Sequence, residues 1–109
     1  MSAQMGNPFA GEVRLVIDGT PHVARLTLGA LAELEAAMGA DTLVALAERF
    51  ERGQFSSRDV LALIVAGLRG GGWNGQASDL TKAEIEGGIH GAARAAARLL
   101  AHAFAPPPA

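Results

Sequence analysis

Apolar and polar positions change their period once along this chain, and the change divides it. Val13, Leu15 and Ile17 alternate with Arg14 and Val16 until Asp18-Gly19-Thr20-Pro21 interrupts. Beyond the interruption Val23, Arg25 and Thr27 alternate with Ala24, Leu26 and Leu28. Two period-two runs around an Asp-Gly pair predict a β-hairpin. Pro21 falls at the start of the second strand, where its missing N–H does least harm. A lone hairpin is marginal in water, so its apolar face needs a helical layer against it.

From Leu28 onward the period is helical. Leu28, Leu31, Leu34 or Glu35, and Met38 recur at helical spacing, and Gly39 is the expected stop. Asp41 is expected to cap a second helix, with Leu43, Leu46, Ala47 and Phe50 inward, Glu48, Arg49, Glu51 and Arg52 outward, and Gly53 at its end. Ser56 and Asp59 resemble a capping box, with Asp in place of the usual Glu or Gln. They precede Val60, Leu61, Ile64, Val65 and Leu68. Gly70-Gly71-Gly72 ends that third helix and opens a loop running through Trp73 to Ser78. Thr81 and Glu84 predict another capping box, after which Ile85, Ile89, Ala92, Ala96, Leu99 and Ala103 hold a 3.6-residue period. The expected fold class is α+β and helix-dominated: an N-terminal two-stranded antiparallel hairpin followed by about four helices. Residues 1–11 read as a flexible lead-in, 12–104 as a single domain, and the proline-containing 105–109 as a disordered tail.

Composition then narrows the function classes. With 109 residues there is room for one core, and no cysteine is present for a disulfide, a thiolate metal site or a nucleophile. A net charge of -2 gives no global basic field for nucleic acid or anionic lipid. The start of the chain lacks a secretory pattern, and no apolar run approaches the ~20 residues needed to span a bilayer, so a cytoplasmic protein is expected. Ala and Gly together make about a third of the chain. Alanine buries little area, so the core is expected to be thin.

Candidate chemistry is sparse. The Gly70–Gly75 stretch lacks the Lys-Ser/Thr of a phosphate loop and follows a helix rather than a strand. His22, His90 and His102 fall in no metal or triad pattern, and the pairs Glu33/Glu35 and Glu84/Glu86, each two apart on an expected helix, point to different faces. No catalytic, cofactor-binding or metal-binding residue is therefore assigned. Association has better support. His90, Arg94, Arg98 and His102 are four apart along one edge of the last helix, where Arg94 and Arg98 suit acidic partners. Gly87, Gly88, Gly91, Ala92, Ala95 and Ala96 line its other side and ask for a closely approaching backbone. Trp73 either plugs the thin core or stands out as an interface anchor. Leu31, Leu34 and Met38 complete the set of expected partner-binding residues.

These residues resemble a known family. Glu12-Val13-Arg14-Leu15, Asp18-Gly19, the run Leu26–Glu35, Ala45–Phe50, Asp59-Val60-Leu61, Gly67–Gly72 and the alanine-rich last helix are similar to the small tail-module protein of bacterial gene transfer agents and related tailed phages. The resemblance spans roughly residues 12–104, which on this basis read as a tail-assembly domain, and it implies a role in building a phage-like tail. Members are described either as tail tube components or as tail assembly chaperones that coat the tape-measure protein. Tube subunits are typically rich in strands, and only two strands are predicted here. The expected function is thus a non-enzymatic chaperone with the tape-measure protein or other tail proteins as partners. It would act in the cytoplasm of a bacterial host, as a homo-oligomer in one version, without cofactor, nucleic acid or membrane. A structural tail component retained in the particle is the alternative.

Overall fold

The computed structural model describes residues 11–39 and 41–104; most of the lead-in and the whole of the tail lie outside them. Strand β1 (Glu12–Ile17) pairs antiparallel with β2 (Thr20–Arg25), joined through Asp18 and Gly19. Both turn residues have positive φ, +49° and +79°, as a two-residue turn matched to strand twist demands. Val13, Leu15 and Ile17 point into the core, and Arg14 faces solvent.

Five helices follow, one more than the periodicity predicts: α1 (Leu28–Met38), α2 (Thr42–Glu51), α3 (Ser57–Gly70), the short α4 (Ala77–Leu80) and α5 (Gly88–Phe104). Thr27 caps α1 by accepting the Ala30 N–H at 3.1 Å. Leu28, the first residue of the expected stripe, is 84% exposed and takes no part in the core. Asp41 makes no capping bond. The chain is held there instead by the Thr42 hydroxyl, which donates to the Gly39 carbonyl at 2.6 Å.

The junction of α2 and α3 is built more tightly. Ser56 Oγ accepts the Asp59 N–H at 3.1 Å, and Asp59 Oδ2 accepts the Ser56 N–H at 2.9 Å, which completes the capping box. Arg49, at the end of α2, donates to both oxygens of the same buried carboxylate at 3.0 Å each. Burial raises the Asp59 pKa, but the Ser56 N–H and the Arg49 guanidinium outweigh it and hold the carboxyl below its ordinary 3.8. Phe50 and Phe55 stack beside this junction with ring centroids 4.4 Å apart.

Helix α3 forms the centre of the fold. Residues Leu63 to Leu68 are all buried, against β2 on one side and α1 and α5 on others. Its C-terminus crosses β2 so closely that a Cβ at Gly70 would strike the Arg25 carbonyl oxygen, and one at Gly71 the Val23 carbonyl oxygen. The glycine run thus serves as a packing surface before it serves as a helix stop.

The expected capping box at Thr81 and Glu84 does not form. Thr81 instead donates its hydroxyl to the Ser78 carbonyl, ending α4. That short helix starts at Gln76, whose N–H the Asp79 carboxylate accepts at 2.8 Å. Ile85 is not helical; it bridges antiparallel to Ile17. The Asp18 N–H donates to the Glu84 carbonyl at 2.8 Å, the Asp18 carboxylate accepts the Glu84 N–H at 2.9 Å, and the Glu86 N–H donates to the Val16 carbonyl at 2.9 Å. Residues 84–86 therefore lie along the outer edge of β1, and Glu84 and Glu86 are not part of a helical first turn. The competing pull is tertiary: an unpaired strand edge recruits an apolar Ile85 that helical propensity would place elsewhere.

Candidate interaction surfaces

Two grooves gather most of the residues expected to meet a partner. The first lies between α1 and α3 and measures about 240 Å³. Leu34, Ala37 and Met38 of α1 form one wall, and Leu61, Ala62 and Val65 of α3 the other. Leu34 sits deepest and belongs to the core, whereas Met38 is 38% exposed at the rim. Leu31 is half-buried on the same helix outside the lining. Charge marks the rim: Arg69 pairs with Glu33 at 3.5 Å, while Arg58 has no ion-pair partner among the described residues.

Of the two walls, the expected partner-binding residues include only α1's Leu34 and Met38; periodicity places Leu61 and Val65 of α3 among that helix's apolar positions without marking them as surface. The signal was present in the breadth of the α3 apolar arc. Val60, Ile64 and Leu68 fill one face, and Leu61 and Val65 extend it beyond what a single buried face requires.

The second groove, of about 700 Å³, runs between β1 and α5. Arg94, Arg98 and His102 line it from the helix, and Glu12 and Arg14 from the strand. His90, the fourth member of the spaced-by-four series, lies outside this lining. Arg14 pairs with Glu86 at 3.9 Å; Arg94 and Arg98 are exposed and make no ion pair among the described residues. The lining also includes three small residues, Gly87, Gly91 and Ala95. A close backbone does account for Gly91, and it belongs to this chain: a Cβ there would strike the Glu86 carbonyl oxygen.

Trp73 belongs to neither groove. It is half-buried and packs against the core, and Gly75 lies so close to the indole that a Cβ there would enter the ring. Arg69 Nε donates to the Gly75 carbonyl at 3.2 Å and holds that turn.

Among the described residues, no group of three or more His, Asp or Glu is arranged to hold a metal ion, and no helix is long and apolar enough to cross a membrane. The two grooves differ in chemistry: one is apolar and helix-walled, the other is lined by arginines and bordered by a strand.

Neither the curated proteins nor the solved structures contain a match to this chain. A family model does match, over residues 10–106, and it describes a phage tail tube protein, GTA-gp10. The match spans nearly the whole chain and makes it a phage-like tail component: the chain belongs to the phage tail tube protein, GTA-gp10, family.

Proposed function

We propose that this tail protein acts as a non-enzymatic assembly chaperone, holding the tape-measure protein in the bacterial cytoplasm while the tube is built around it. The observation that carries this reading is the apolar groove between α1 and α3, walled by Leu34, Met38, Leu61 and Val65. A groove between two helices, apolar inside and charged at its rim, suits the apolar face of a third helix. The small sheet supports the same reading: the described residues form one two-stranded sheet, little material for a strand-built ring.

Two measurements test it. Co-expression with the tape-measure protein should yield a complex that Met38→Asp weakens about tenfold, since a charge replaces one buried apolar contact. Mass spectrometry of purified particles should find the chain absent. The second reading, a tail tube subunit retained in the particle, is favoured by the family description. Many copies per particle, together with no capture of the tape-measure protein, would establish that reading and exclude a chaperone.

A further inference from the structure

The outer edge of β1 is only half covered. Val16 gives its carbonyl to the Glu86 N–H and Asp18 its N–H to the Glu84 carbonyl, so residues 84–86 cover the turn end through one antiparallel bridge, Ile85 to Ile17. Antiparallel pairing alternates which residues face which neighbour. Because Val16 faces outward, Arg14 and Glu12 also direct their backbone groups away from β2. Among the described residues, Arg14 has no backbone partner on that side. This cover stops because Gly87 and Gly88, with φ of +86° and +64°, turn the chain into α5.

The space left beside Arg14 is the second groove. Gly87, Gly91 and Ala95 contribute no side chain beyond Cβ to its lining, leaving room for an added backbone. Its electrostatics run against those of the molecule. The chain carries a net charge of -2, yet Arg94 and Arg98 are unpaired here among the described residues, with His102 beside them. Three arginines, Arg14, Arg94 and Arg98, line the groove against two carboxylates, Glu12 and the Glu86 that lies 3.9 Å from Arg14.

We propose that this groove binds an extended acidic segment of a partner protein, which adds to β1 beyond Glu86 as a further strand. Main-chain hydrogen bonds to Arg14 give the segment its purchase, and carboxylates on alternate residues meet Arg94 and Arg98. A second copy of this chain fits less well. Its own β1 carries Arg14 beside Glu12 and brings no net negative charge to the two free arginines.

The probe is a short capped peptide alternating valine and glutamate, titrated into the isotope-labelled full chain and followed by NMR. The peptide should shift the Arg14 amide and slow its hydrogen exchange. Replacing glutamate by lysine should abolish binding, and so should N-methylation of the peptide backbone. Arg94→Glu with Arg98→Glu should weaken binding by about tenfold or more, and the milder Arg94→Gln with Arg98→Gln should do so in part, with thermal unfolding unchanged. Four results would overturn the proposal. One is equal binding of the backbone-blocked peptide, and another is unchanged binding by the arginine variants. The third is an Arg14 amide already protected in the free protein. The fourth is a single-stranded oligonucleotide that shifts the same residues where the peptide does not.

Discussion

Helices α3 and α5 are the two longest in the molecule, and they are anchored by opposite means. Helix α3 is tied down by side chains: the Ser56–Asp59 box and Arg49 at its start, and large residues such as Leu63, Ile64 and Leu68 along its length. Helix α5 is tied down by backbone. Its entry is set by the bridge of residues 84–86 to β1 and by two left-handed glycines, and its buried face starts with Ala92, Ala95 and Ala96 before reaching Leu99 and Leu100. The lesson is that the small residues are concentrated where backbones approach and where a groove stays open. The rest of the core is ordinary.

The sharpest way to break this contrast is to remove side-chain volume. Leu68→Ala, at a fully buried site, should lose about 2–5 kcal/mol in urea unfolding. Arg98→Ala on the exposed side of α5 should stay within about 0.5 kcal/mol. Equal effects would mean that α5 is held by its outer face after all.

Next in size are the glycines. Gly71→Ala and Gly91→Ala should each lose about 1–3 kcal/mol, because the new methyl group meets a carbonyl oxygen that cannot swing away. Thermal unfolding of both variants checks this. A Gly91→Ala protein stabilised by about 1 kcal/mol, as helix propensity alone would give, would reduce that glycine to a bias of composition.

The smallest expected effect concerns pH. The Asp59 carboxyl has a lower pKa in the folded chain than in the unfolded one, so its contribution is complete above about pH 4 and is lost as pH falls through the folded value. Asp59→Asn should cost about 1–2 kcal/mol at neutral pH through loss of the cap and of the Arg49 pair. It should also flatten the acid limb of the stability profile, read as the urea midpoint between neutral pH and pH 3. An unchanged acid limb would place the pH-sensitive anchor elsewhere than the start of α3.

The sequence alone determined the hairpin, its Asp-Gly turn, the first three helices and the Ser56–Asp59 box, because each rests on contacts between residues close along the chain. It also placed Arg94 and Arg98 on one edge of the last helix and Leu34 and Met38 on one face of α1. Tertiary structure decided what those residues border. Whether the last helix begins after Thr81 or at Gly88 was a contest between a local capping pattern and the unpaired edge of β1, and the edge won, since Asp18 and Val16 satisfy three backbone groups of residues 84–86 at once. The two grooves were equally beyond local reading. Each is bounded by elements far apart in sequence, α1 with α3 and β1 with α5, and their meeting depends on the close crossing that Gly70 and Gly71 permit and the turn that Gly87 makes.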